Sequence, residues 1–224
     1  MIDELRRQLR KLADPSKAGP MQAYMKSAMP YHGVPTPALR SLCKRLFKAH
    51  PCSTEPEWRE ACLTLWRNAR FREERYAAIE LTGYKLYSHW QTMATLPMYE
   101  EMIVTGAWWD YVDAIATQRL GGLLKSYPKK MSARMLQWSR SRDLWKRRSA
   151  ILSQLHFKQE TDLTLLYACI EASLDSREFF LQKAIGWALR QYAWTNPEEI
   201  RRYCATHRLS KLSRREALKN IGLS

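Results

Sequence analysis

The chain has 224 residues, with 37 Lys and Arg against 22 Asp and Glu, a formal net charge of +15. A hydrophobic fraction of 46% with nine Trp excludes a disordered chain, and no apolar run approaches the ~20 residues that a membrane span requires. Such a length suggests one domain over residues 1–224, able to bury a core without disulfides or metal.

The charged start, Met1-Ile2-Asp3-Glu4-Leu5-Arg6-Arg7, lacks the apolar stretch of a signal peptide. Cys43, Cys52, Cys62, Cys169 and Cys204 are scattered and form no C-x-x-C, as expected of reduced thiols in a cytoplasmic protein, with the bacterial cytosol or nucleoid as its expected place. The excess positive charge predicts a polyanionic partner, and nucleic acid fits best because regularly spaced phosphates can meet many Lys and Arg. A solvated basic surface that serves only solubility is the alternative.

Helix punctuation runs along the chain. Thr36-Pro37 reads as N-cap and N1, followed by Leu39, Leu42, Cys43, Leu46 and Phe47 at helical spacing. Trp58, Cys62, Leu65 and Trp66 form the next apolar stripe, and Phe71 to Leu86 continues the pattern. Asp143 begins a helix carrying Leu144, Ile151, Leu152 and Leu155, and Thr161 begins one carrying Leu163, Leu166, Ile170 and Leu174. Ser176 opens the longest late segment, ending near Trp194. Asn196-Pro197-Glu198-Glu199 is a capping box, Ser213 with Glu216 repeats it, and Gly222 supplies the final stop. About a dozen short helices joined by short loops predict an all-α fold: a right-handed stack of antiparallel helix pairs. Such a HEAT-like or armadillo-like solenoid would have a concave basic groove, with a globular bundle as the alternative.

Three clusters carry the chemistry. In Gly106-Ala107-Trp108-Trp109-Asp110-Tyr111-Val112-Asp113, a helix starting near Trp108 puts Trp109 and Asp113 one turn apart on one face. Paired Trp are usually core anchors, but here a carboxylate lies beside an indole in a strongly basic chain. In Leu144-Trp145-Lys146-Arg147-Arg148, Arg148 shares a face with Leu144 and Ile151. It is then either a snorkelling cover for apolar surface or a phosphate clamp. In Phe179 to Arg190, the residues Phe180, Ala184 and Trp187 define a face with Arg190 one turn beyond. Gly186 inside that helix costs ~1 kcal/mol against Ala, which implies close backbone packing or substrate approach.

These clusters resemble the alkylpurine DNA glycosylases of the AlkD type. The motifs are Trp108-Trp109-Asp110-x-Val112-Asp113, Leu144-Trp145-x-x-Arg148 and Phe179-Phe180-x-Gln182-Lys183-Ala184-Ile185-Gly186-Trp187-x-Leu189-Arg190. The likeness extends to Ala23-Tyr24-Met25-Lys26, to Gly33-Val34-Pro35-Thr36-Pro37 and to Tyr192 through Pro197; it departs at Met29-Pro30-Tyr31-His32, where relatives more often carry larger apolar residues after the Pro. The resemblance implies a HEAT-like solenoid that wraps double-stranded DNA on a basic concave face and excises cationic alkylated purines without a deep base-flipping pocket. It implies that Asp113 is the catalytic carboxylate, that Trp109 and Trp187 contact the lesion deoxyribose, and that Arg148 holds backbone phosphate. Tyr24 matches a family aromatic near the same site, and Arg147, Lys183 and Arg190 complete the expected DNA contacts.

The chemistry is coherent on its own. A cationic N3- or N7-alkyl purine is already a good leaving group, so catalysis needs negative charge beside C1′ and a positioned water. Indole faces add cation–π attraction of ~0.5–2 kcal/mol to the developing cation, and a nearby Arg is expected to lower the Asp pKa. No Lys nucleophile is required, which implies hydrolysis without strand cleavage; a monomer that uses no cofactor or metal is expected. His32, His50, His89, His156 and His207 show no metal-ligand spacing, and no phosphate-binding Gly-rich loop occurs. A non-catalytic helical-repeat module that binds nucleic acid remains the alternative, with a protein–protein scaffold third. The reading requires that Asp113 be reachable: buried away from solvent, it would have no sugar to act on.

Overall fold

The computed structural model describes residues 1–221, so the expected stop at Gly222 lies outside the described residues. No strand occurs among them, and no described helix is long and apolar enough to cross a membrane. The chain divides into two compact units, the first Met1–Met98 and the second from Tyr99 onward.

The first unit contains α1 (Ile2–Lys11), α2 (Pro15–Met25), α3 (Thr36–Ala49), α4 (Glu55–Arg67) and α5 (Arg72–Thr82), then two short 3-10 turns, Lys85–Trp90 and Met93–Thr95. Leu5 and Leu9 of α1 are buried, and this helix packs on α3. α4 lies against α5, where the Trp58 indole donates to the Leu81 carbonyl at 3.2 Å. The expected Thr36 cap moves by one residue: α3 begins at Thr36 itself, Pro35 precedes it, and no side chain caps it.

The start of α5 is a buried charged cluster that hydrophobic periodicity could not announce. Glu73 is fully buried and accepts from the backbone N–H groups of His32, Gly33 and Val34 at 3.0, 2.9 and 3.1 Å. Glu74 takes the Arg6 guanidinium at 2.9 Å. Gly33, at φ 83°, presses so close to α2 that a Cβ would lie 2.2 Å from the Asp14 carbonyl oxygen, so only glycine fits. Of the Met29–His32 segment, Tyr31 and His32 are built into this core: the Tyr31 and Tyr76 hydroxyls lie 2.8 Å apart, and His32 stacks on Phe71 at 3.7 Å.

α6 (Leu96–Gly106) straddles the boundary. The second unit continues with α7 (Trp109–Ala114), a π-helical segment Ile115–Leu120, α8 (Gly121–Ser126), α9 (Pro128–Ser139), α10 (Leu144–Leu152), α11 (Leu163–Glu171), α12 (Phe179–Ala193), α13 (Pro197–Thr206) and α14 (Lys211–Leu218). Two rows result. α7 with the π segment, α10, α12 and α14 pack in succession, and α9, α11 and α13 back them. In the second row Tyr167 stacks on Tyr203 at 4.2 Å and donates to Glu199 at 2.7 Å. This all-α arrangement of paired helices matches the expected fold class.

The expected caps form where side chain and backbone are adjacent. Asp143 accepts from the N–H groups of Trp145 and Lys146, at 2.9 and 2.8 Å, and Asn196 from Glu199 N–H at 3.0 Å. Elsewhere the boundary moved. Asp162 rather than Thr161 caps α11, α12 starts at Phe179 behind Glu178, and Ser210 rather than Ser213 caps α14. Glu216 is therefore free of any capping role. Gly186 also finds its reason here: a Cβ would stand 2.4 Å from Glu216 Cβ and 2.9 Å from the Ser213 carbonyl oxygen. Of the two explanations offered by the sequence, close backbone packing applies, because α14 crosses α12 at this point.

Candidate active site

The site is assembled by three neighbouring helices of one row, α7, α10 and α12. α6 ends in a sharp turn at Ala107, which holds the left-handed conformation at φ 44°. That conformation is strained by ~1 kcal/mol or more for a residue with a Cβ. Trp108 then caps α7 in extended geometry, and Trp109 is its first residue. Asp113 follows Trp109 by one turn, as its spacing predicted, and Asp110 lies in the first turn, where the helix dipole favours a carboxylate.

Asp113 sits at the junction of α7 with the π segment, a feature absent from any periodicity reading. Its carbonyl accepts from Thr117 Oγ1 at 2.8 Å. Single-turn π segments recur at functional positions because the extra residue re-aims neighbouring side chains.

The Asp113 carboxylate meets Arg148 of α10 in a two-pronged ion pair. Arg148 Nε donates to Oδ1 and Nη2 to Oδ2, both at 2.7 Å, with the Arg and Asp side chains 5% and 12% exposed. Arg148 Nη1 donates to the Phe180 carbonyl at the start of α12, so one guanidinium ties all three helices together. This corrects both sequence readings of Arg148. It neither snorkels nor stands free as a phosphate clamp; it is buried and holds the carboxylate. The expected downward shift of the Asp113 pKa is also reversed. Burial pushes the carboxyl above its ordinary value, and the guanidinium only partly offsets this.

An aromatic wall adjoins the pair. Trp108 lies edge-on to Phe180 at 5.4 Å, Trp145 lies 5.1 Å from Phe180, and exposed Phe179 packs edge-on against Phe180 at 5.4 Å. Trp109 and Trp187 are both partly exposed, unlike core tryptophans such as Trp58 and Trp66. Trp187 stands two turns beyond Phe180 on α12.

The other expected DNA contacts have partners within the protein. Lys183 and Arg190, two turns apart on α12, share the Glu216 carboxylate of α14 at 3.0 and 2.6 Å. These two cations hold the Glu216 carboxyl below its ordinary range. Arg147 donates to Ser173 Oγ at 3.0 Å and to the Ala172 carbonyl at 3.3 Å, closing the end of α11. Lys146 pairs with Glu100 and lies 5.7 Å from the Trp138 ring. Tyr24 is 77% exposed near the end of α2 in the first unit. Thus Asp113 and Arg148 meet directly, Trp109 shares the helix of Asp113, and Trp187 shares the helix of Phe180. Lys183 and Arg190 converge on one acid instead.

A search of curated proteins finds no match. Among solved structures, the chain is similar to a predicted DNA alkylation repair enzyme from Enterococcus faecalis, with 30% identity and a TM-score of 0.75 over 95% of this chain and 98% of that one. The sequence profile of the DNA alkylation repair enzymes matches residues 5–221, nearly the full length. The chain belongs to the DNA alkylation repair enzyme family.

Proposed function

We propose that this DNA repair protein is a monofunctional glycosylase that hydrolyses the N-glycosidic bond of cationic alkylpurines in duplex DNA. Bases of the 3-methyladenine and 7-methylguanine type are its substrates. The observation that carries the reading is the Asp113 carboxylate, oriented by Arg148 at the edge of an aromatic wall, one turn from a partly exposed tryptophan. An ionised carboxylate offers about four lone-pair positions. The guanidinium takes one on each oxygen, and the 12% of the Asp113 side chain that stays exposed is the edge through which the remaining two would meet the sugar and a water. As the bond to the alkylated base lengthens, positive charge grows on C1′, and the near carboxylate lowers the barrier more than the more distant guanidinium raises it. The faces of Trp109 and Trp187 would flank the sugar and exclude bulk water.

In this reading Arg148 positions Asp113, Tyr24 supplies an exposed aromatic contact, and Arg147, Lys183 and Arg190 contribute to the field that draws DNA. The free, scattered thiols support action in the cytosol, and a monomer suffices because all the catalytic groups come from one unit.

The low exposure of Asp113 favours a second reading, in which the Asp113–Arg148 pair is a structural lock in a non-catalytic DNA-binding module. Incubating methylated duplex DNA with the protein and measuring free base separates the two. The glycosylase releases 3-methyladenine or 7-methylguanine, and Asp113→Asn loses most turnover while its folded fraction still binds DNA. Full activity in that variant removes Asp113 from the mechanism; binding by the wild type without base release establishes the module.

A further inference from the structure

Trp187 is not alone on the open side of α12. At about 100° per residue, with Gly186 against α14 as origin, Arg190, Lys183, Trp194, Trp187 and Phe180 fall between about 40° and 120°. Buried Leu181, Ile185 and Ala188 take the opposite side. Trp194 follows α12 as its C-terminal cap, and its φ −66° and ψ −21° keep it in helical register. It therefore projects within ~20° of Trp187 and about 10.5 Å further along the axis.

Trp194 is 70% exposed. A single exposed apolar side chain is unremarkable by itself. This one continues an aromatic–cation alternation, Phe180, Lys183, Trp187, Arg190, Trp194, in a chain of net charge +15. A peptide or a second copy of this basic chain would gain little from that alternation. A nucleic-acid strand, with phosphates outside and sugars and base edges between them, meets both kinds of side chain at once.

We propose that Trp194 is a second aromatic contact to duplex DNA, placed about three nucleotides from the residue at Trp187, with the Lys183–Glu216–Arg190 cluster leaving a net positive charge between them. For a strand running along α12, the spacing follows from 10.5 Å along the helix against ~3.4 Å per nucleotide of a DNA strand. The inference rests on the glycosylase reading for the placement of the damaged nucleotide at Trp187, but its test does not need turnover. Fluorescence anisotropy with an unmodified 20-base-pair duplex should show Trp194→Ala binding at least about twofold more weakly than wild type, since an indole against sugars and base edges gives less than stacking on an unpaired base, with Trp194→Phe recovering part of the loss. An exposed side chain can be truncated without opening a cavity, and a matching thermal melt confirms this.

The second measurement places 2-aminopurine one to five nucleotides from a stable abasic analogue. Its emission should change most near the third position with wild type and not with Trp194→Ala. Equal affinity of Trp194→Ala and wild type overturns the contact, and a maximal change elsewhere overturns the spacing. A wild type that binds duplex but releases no base sinks the glycosylase reading alone, while the affinity comparison still decides on Trp194.

Discussion

The Asp113–Arg148 pair allows a prediction about energy that a surface pair would not. Two 2.7 Å bonds join side chains only 12% and 5% exposed. Removing one partner strands the other charge in a poorly solvated place, a loss of about 3–5 kcal/mol, against ~0–1 kcal/mol for an exposed pair. Asp113→Asn keeps the volume, but its amide has one acceptor oxygen and turns N–H donors toward a cation. Arg148→Met removes the cation and leaves the carboxylate and the Phe180 carbonyl without it. Each single variant should lose about 3–4 kcal/mol. The double variant, with no unpaired charge, should lose about 2–3 kcal/mol less than the sum of the two. Urea unfolding followed by tryptophan fluorescence, with equal slopes in denaturant, supplies the three differences. Additive losses, or single losses below about 1 kcal/mol, would refute the claim that the pair is desolvated and coupled. A domain whose total stability is ~5–15 kcal/mol can be partly unfolded by such a change, so activity of Asp113→Asn has to be normalised to its folded fraction.

Three further outcomes follow from the same packing. Gly186→Ala forces α12 and α14 apart, because its Cβ would meet Glu216 Cβ and the Ser213 carbonyl oxygen at 2.4 and 2.9 Å; a loss of about 1–3 kcal/mol is expected, and an unchanged melting temperature would contradict the close crossing. Glu216→Gln releases Lys183 and Arg190 from their shared acid, so non-specific duplex affinity should rise and its dependence on salt should steepen by about one to two phosphates; weaker binding would mean that Glu216 orients these cations for DNA. Base release should fail on the acid side at a pH above the ordinary aspartate value of 3.8, since burial raises the Asp113 pKa and only the ionised form acts. Activity persisting unchanged to below pH 3.8, in protein shown to remain folded, would deny Asp113 that role.

The sequence was a good guide wherever the partner lay within a turn or two. Asp143 and Asn196 cap backbone groups two or three residues away, so their roles are written in the local order of residues. The one-turn spacing of Trp109 and Asp113 is likewise a property of the helix alone, and the three motifs pointed to the family that the comparisons then showed. Boundaries slipped at Thr161, Ser176 and Ser213 because several polar residues compete for one cap, and packing of the following helix selects among them.

Tertiary structure alone decided what each charged side chain faces. Arg148 meets an acid 35 positions away, Arg190 one 26 positions away, and Glu73 collects backbone donors about 40 positions earlier. Helical periodicity tells which side of its own cylinder a residue occupies, but not which other cylinder lies opposite. A net charge of +15 treats every cation as free, whereas the field that reaches DNA depends on which cations already hold a carboxylate. For Arg148, Lys183 and Arg190, that answer comes from the crossing of helices, because Coulomb attraction at 3 Å outweighs position in the chain.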